Sequence, residues 1–249
     1  MTIDLNADAG ESYGVWSLGD DEALFPHLTS VNLACGFHAG DPKTIERSVR
    51  LALQHRLAIG AHPSFPDRVG FGRRELQASE EEIRADVLYQ IGALSAFLKA
   101  HGARLHHVKA HGALYNQATR EPSTARALAE AVHAFDPKLP LVVLPGTPLE
   151  EEARALGLPV LREGFPERGY LADGRLAPRH LPGAIIEDPD LAAQRALAMV
   201  RGKIQSLDGG ELPVQIETLC VHGDHPRAPA VARAIRAILE AHGIAVQAA

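Results

Sequence analysis

The sequence predicts an α/β fold: a single parallel β/α barrel of about seven strands, closed or nearly closed and TIM-like, occupying residues 1–249. Three observations carry this expectation. Apolar strand-like runs alternate with helical patterns along the whole chain. Nearly every strand-like run ends in a titratable group, and α/β barrels build their active sites at the C-terminal ends of their strands. No Gly-x-Gly-x-x-Gly follows the first strand, so an open dinucleotide-binding sheet has no support.

The first strand lies near 2–7, where Ile3, Leu5 and Ala7 alternate with Asp4, Asn6 and Asp8. Side chains on a strand alternate faces, so the polar set shares one face and lines the barrel if the apolar set meets the helices. A helix near 20–28 and a strand near 30–35 follow. Asp41-Pro42 then opens a helix near 42–56, with an N-cap before a proline whose missing N–H costs nothing there. A third strand lies near 57–61. The next helix, near 80–101, starts at the capping box Ser79-Glu80-Glu81-Glu82. It repeats Ile83, Val87, Ile91, Leu94 and Leu98 at helical spacing and stops at Gly102. Strands near 106–110, 141–144 and 159–163 alternate with helices near 122–135 and 148–156, the latter stopped by Gly157. Segment 164–183 breaks the pattern, and its Gly, Pro and Arg content predicts a loop over the barrel mouth. A helix near 188–202 and a hairpin over 203–216 around Asp208-Gly209-Gly210 precede the last strand, near 218–222. The final helix, near 227–242, ends at Gly243.

Bulk properties narrow the function. Net charge is −6, the pI is near 6.1, and no basic patch stands out, which argues against nucleic acid as a partner. No apolar run has the length of a membrane span, and the first residues carry neither the charged nor the apolar region of a signal peptide. The two cysteines, Cys35 and Cys220, make no disulfide framework, so a cytoplasmic location is expected. Cys35 reads as a buried, inert thiol.

The strand ends carry the chemistry. They present Asn6, Asp8 and Glu11; His38; His62, Asp67, Arg73 and Arg74; Lys109, His111 and Asn116; Glu163 and Arg168; His222 and Asp224. Burying an unpaired carboxylate is costly, so such groups bind one another, a substrate or a metal. Asp8, His62 and His111 are candidates for proton transfer, and Lys109 for stabilising an oxyanion. Arg73 is a candidate clamp for a substrate carboxylate. Asn6, Glu11, His38, Glu163, His222 and Asp224 complete the expected lining. Lys109 and His111 share a strand face, and like-charge repulsion from the lysine is expected to disfavour a protonated His111.

Five stretches occur in order: DLNADAGES, NLACGFHAGDP, IGAHPSFPDRVGFGRR, VKAHGALYN and LCVHGDHP. Together they closely resemble the LamB/YcsF family over essentially the whole chain. The resemblance implies a seven-stranded barrel related to glycoside hydrolase and deacetylase barrels. It implies ATP-dependent opening of 5-oxo-L-proline to L-glutamate, with Mg²⁺, together with separate 5-oxoprolinase subunits B and C. Two positions depart from the family pattern. Ala110 stands where proline is usual, and EGFPERGY carries Pro166 and Glu167 where Ala-Asp is usual. Both keep the charged groups. The residues leave two other readings open. One is a stand-alone metal-dependent deacetylase or amidohydrolase using Asp8, His62 and His111 as ligands. The other is a non-catalytic 5-oxoproline carrier.

Overall fold

The computed structural model describes all 249 residues. β1 (Thr2–Ala9) leads to α1 (Asp21–Leu24) and a 3-10 turn at Phe25–His27. Next come β2 (Ser30–Ala34), α2 (Pro42–Gln54), β3 (Ala58–His62), α3 (Glu80–Ala100) and β4 (His107–Val108). Two helices follow β4: α4 (Gly112–Ala118) and α5 (Pro122–Phe135). Then β5 (Leu141–Val143), α6 (Pro148–Ala155), β6 (Val160–Gly164) and α7 (Pro189–Val200) precede a hairpin of β7 (Lys203–Gln205) and β8 (Glu211–Pro213). β9 (Thr218–His222), α8 (Ala228–Ala241) and β10 (Ala245–Val246) complete the order.

β1 pairs in parallel with β2 and with β9, while β2 to β6 run in sequence round to β9. Seven parallel strands therefore close into a barrel. β10 adds at the start of β1, pairing Thr2 with Ala245, and the β7–β8 hairpin stands outside. Alternation on β1 sorts its faces as expected. Ile3, Leu5 and Ala7 join an apolar core of 58 buried residues, while Asp4, Asn6 and Asp8 make polar contacts with neighbouring strands. The helices cover the outer side. α2 buries Ile45, Val49 and Ala52, and each large aliphatic side chain so buried contributes about 1.5–3 kcal/mol. Asp41 caps α2 by accepting from Lys43 N at 3.0 Å, and the Ser79–Glu82 capping box opens α3.

The structure refines four expected elements. The helix near 20–28 is α1 plus the 3-10 turn, because Pro26 cannot donate to the preceding turn. The fourth strand shrinks to His107–Val108, and the chain leaves it through α4, which the sequence pattern did not show. The 203–216 hairpin forms, with Ser206 to Gly210 as its turn. Segment 164–183 lies over the mouth, held by buried groups. Arg168 donates to Ala184 O and Ala177 O, and Tyr170 Oη accepts from Phe165 N.

Candidate active site

The barrel interior is polar from bottom to top, in layers. At the bottom, Asp4 accepts from Thr29 Oγ1 (2.6 Å), Ser30 Oγ (2.7 Å) and Thr218 Oγ1 (2.6 Å). One layer up, Asn6 donates to Thr218 Oγ1 and Glu163 Oε1 and accepts from Asn32 Nδ2 at 2.7 Å. His107 Nε2 donates to Asn32 Oδ1 at 2.6 Å. That ring fits because position 60 is glycine: a Cβ there would lie 2.1 Å from His107 Nε2.

Above this layer sits a buried cation between carboxylates. Lys109 Nζ lies 2.9 Å from Asp8 Oδ1, 2.9 Å from Glu163 Oε1 and 2.9 Å from Cys220 Sγ. Asn32 Nδ2 also donates to Asp8 Oδ1, at 2.8 Å. Burial would push Asp8 upward, but His62 and the Lys109 ammonium outweigh it and hold the carboxyl well below its usual range. Burial works against the Lys109 charge too, and Asp8, Cys220 and Glu163 overcome it, so the ammonium is held. Burial raises both Glu163 and the Cys220 thiol, against the pull of the Lys109 ammonium. The thiol of Cys35, pushed up to about 12 by burial, is inert as expected.

Next to Asp8 lies a cluster of Glu11, His38, His62 and His111, all buried, with their ligand-type atoms within 4.8 Å of one another. His38 and His111 stack in parallel with ring centroids 3.8 Å apart. His62 Nε2 lies 3.3 Å from Asp8 Oδ2 and 3.0 Å from His111 Nδ1. The loop after β3 holds His111 from above. Gly72 and Gly112 both have positive φ, and a Cβ on Gly72 would come within 2.8 Å of the imidazole. His38 and His111 are held well below the usual imidazole range. For His111 the cause is burial first and then His62; Lys109 is not among the leading causes, so the repulsion expected from strand spacing is not the main one.

A cavity of about 590 Å³ opens above this layer, with Asp8, Lys109 and His111 on its floor. Arginines line its walls, and most are engaged. Arg73 Nη2 donates to Asp224 Oδ2 at 2.6 Å, Arg120 pairs with Glu75, and Arg175 pairs with Asp173. Arg168 is spent on the backbone carbonyls of its own loop. Arg179 lines the cavity and makes no side-chain hydrogen bond or ion pair, with the Asp224 and Glu167 carboxylates acting on it from farther off. In a smaller cavity that shares Arg179 and His222 with this one, Glu167 accepts from His222 N at 2.8 Å, and burial raises its carboxyl to about 8.

The structure therefore gathers Asp8, Glu11, His38, His62, Lys109, His111 and His222 at one end of the barrel, with Arg73 and Asp224 at the rim. Asn6 and Glu163 lie one layer lower: they hold Asp8 and Lys109 from beneath and do not line the cavity. Three contributors were not singled out from sequence. Asn32 looks like an ordinary strand amide. Arg179 lies in the irregular mouth segment. Cys220 sits in an apolar run, and only its face parity with His222 pointed inward.

Comparison with known proteins agrees with this geometry. The LamB/YcsF family model matches residues 3–249. A Thermus thermophilus protein named as the A subunit of 5-oxoprolinase is 64% identical over 249 residues, covering 100% of each chain. The crystal structure of a lactam utilization protein, also from Thermus thermophilus, superposes with a TM-score of 0.96 at 62% identity, covering 100% of both chains. The catalytic domain of a peptidoglycan N-acetylglucosamine deacetylase from Eubacterium rectale gives a TM-score of 0.53 at 12% identity, over 100% of this chain and 88% of that one. That last likeness is one of fold alone. With the motif-bearing strand ends converging on one cavity and the match running nearly end to end, the chain belongs to the LamB/YcsF family.

Proposed function

We propose that this chain is the A subunit of a 5-oxoprolinase, which opens 5-oxo-L-proline hydrolytically to L-glutamate in an ATP-dependent reaction with partner subunits B and C. The observation that carries this reading is the Asp8–Lys109 pair on the floor of an arginine-walled cavity. A lactam is a stable amide, and its opening needs a cation for the developing oxyanion and groups that move protons. Lys109 supplies the fixed cation. Asp8 and the neutral imidazole of His111 take up protons from water, and the raised Glu167 carboxyl at the edge can return one to the leaving nitrogen. The substrate carboxylate goes to Arg179, the wall arginine that makes no hydrogen bond or ion pair, while Arg73 is held by Asp224. ATP with Mg²⁺ supplies activation of the ring carbonyl. This chain has no Walker loop, so the reading assigns it only the handling of the anionic, activated lactam.

No helix is long and apolar enough to cross a membrane, and two free buried cysteines fit a cytoplasmic setting. The test is an assay for glutamate and ADP with this chain alone, then with subunits B and C added. Turnover should appear only in the complete mixture. Full turnover by the chain alone would refute the division of labour. Deacetylation of N-acetyl sugars, with no action on 5-oxoproline, would overturn the substrate.

A further inference from the structure

The hydrogen bonds around the buried imidazoles fix which nitrogen of each carries its proton. His62 Nδ1 lies 2.8 Å from Lys109 O, and His111 Nε2 lies 2.8 Å from Phe71 O. A carbonyl only accepts, so both nitrogens are N–H donors. Ser64 Oγ donates to Phe65 O at 2.8 Å, so it accepts from His38 Nδ1 at 3.0 Å. On a ring without a second proton the other nitrogen is a bare lone pair, and these three nitrogens, His38 Nε2, His62 Nε2 and His111 Nδ1, face one another and Glu11.

Those lone pairs meet one another and a carboxylate. His62 Nε2 faces His111 Nδ1 at 3.0 Å. Glu11 Oε1 lies 3.2 Å from His38 Nε2 and 3.5 Å from His111 Nδ1. A proton on Glu11 would satisfy one of its two imidazole contacts and leave His62 still facing His111. Two separate protons, on Glu11 and on His62, or one shared cation would match these acceptors; the single cation serves all four groups at once. The outer hydrogen bonds to carbonyl and hydroxyl oxygens are of the kind that orient metal-ligating histidines. A tetrahedral site with bonds of about 2.0–2.1 Å sets its donors about 3.3 Å apart, near the three contacts of 3.0–3.5 Å, while the whole set spans up to 4.8 Å and would close on binding.

We infer that Glu11, His38, His62 and His111 form a binding site for a single divalent transition-metal ion of the zinc class, with Asp8 bordering it through His62. Three imidazoles and one carboxylate suit Zn²⁺ better than Mg²⁺ or Ca²⁺, which prefer all-oxygen shells. This goes beyond the lactam reading: with the ion bound, His62 and His111 serve as ligands, and the proton acceptance assigned above to Asp8 and His111 falls to Asp8 alone.

The test is metal binding by the full chain, purified without a histidine tag, dialysed against chelator and titrated with Zn²⁺ by calorimetry. Co²⁺ serves as an absorbing probe of tetrahedral geometry. We expect about one Zn²⁺ per chain with Kd below about 1 μM, visible Co²⁺ bands, and binding at least about 100-fold weaker in Glu11→Gln and His38→Asn. Glu11→Gln keeps the side-chain shape, which favours folding. In the wild-type chain, where folding is not in question, imidazole nitrogen NMR should show the His38, His62 and His111 ring signals shifting on Zn²⁺ addition. Failure of wild-type protein to take up Zn²⁺, or uptake unchanged in folded variants, overturns the site. Neither result depends on turnover, so the metal site and the 5-oxoproline reading can fail separately.

Discussion

Asp4 and Asp8 lie on the same face of the same strand, and both are buried. Asp4 sits among three hydroxyls that donate to it at 2.6–2.7 Å, so its lone pairs are matched by neutral donors fixed on neighbouring strands and the preceding loop. Asp8 is held by one amide and one ammonium, with an imidazole 3.3 Å away and the cavity above. A carboxylate saturated by hydroxyls stiffens the barrel floor. A carboxylate held by a buried ammonium and open on one side can bind and react. The difference is depth in the barrel, not residue type.

Substitutions at the top should break catalysis and leave the fold standing. Asp8→Asn and His111→Asn should each lower kcat by about 10²–10⁴-fold in the reconstituted complex, the usual scale for a proton-transfer group. Lys109→Met should cost about 10²–10³-fold, the scale for losing one oxyanion donor, with a much smaller change in KM. The double variant of Lys109 and His111 should be little worse than the worse single, since groups acting as one unit are not additive. Near-normal kcat in folded Lys109→Met and His111→Asn would make the upper layer as structural as the lower one.

A second expectation sharpens the division at the wall. Arg179→Gln should raise KM for 5-oxoproline by about 10–100-fold with little change in kcat, as for loss of a charge-assisted hydrogen bond to a bound carboxylate. Unchanged KM would return that role to Arg73.

At the bottom the effect should move from activity to stability. Asp4→Asn puts an amide donor among hydroxyls that already donate, which should cost about 1–3 kcal/mol in urea unfolding and leave kcat within a few-fold. A loss of turnover as large as that of Asp8→Asn would abolish the contrast between the layers.

The smallest effect is expected at the rim and shows only against pH. Burial raises the Glu167 carboxyl from its ordinary 4.5 to about 8, outweighing the His222 N–H that favours the ionised form. The fold thus prefers the protonated acid. Its contribution is fully present below about pH 4.5 and is lost as pH rises through about 8. Glu167→Gln imitates the neutral acid, so its Tm should fall less than that of the wild type between about pH 5 and pH 8. Parallel Tm profiles would show that Glu167 is ionised in the folded chain.

Much of this was legible from the sequence because periodicity and parity are local. The alternation of Asp4, Asn6 and Asp8 with Ile3, Leu5 and Ala7 assigned the inner face of β1, and the spacing of Lys109 and His111 did the same beside β4. The capping box at Ser79 and the glycine stops marked helix ends. α4 was not legible, since seven residues starting at a glycine with positive φ carry too little periodicity to register. The roles of Asn6 and Glu163 beneath the cavity were not legible either. Strand-end position shows that a residue faces inward but not how deep it lies when neighbouring strands are staggered.

By itself the sequence determined which side chains enter the barrel, because a strand's facing repeats every two residues and needs no partner to define it. Tertiary structure alone decided which of them meet. Glu11, His38, His62 and His111 come from four separate stretches after the consecutive strands β1 to β4, and only the pairing of those strands within the closed, curved barrel brings their ligand atoms within 4.8 Å. The same closure makes Asp4 a matched floor and Asp8 a reactive group, since register between strands, which no single strand encodes, sets whether a carboxylate meets hydroxyls or a lysine.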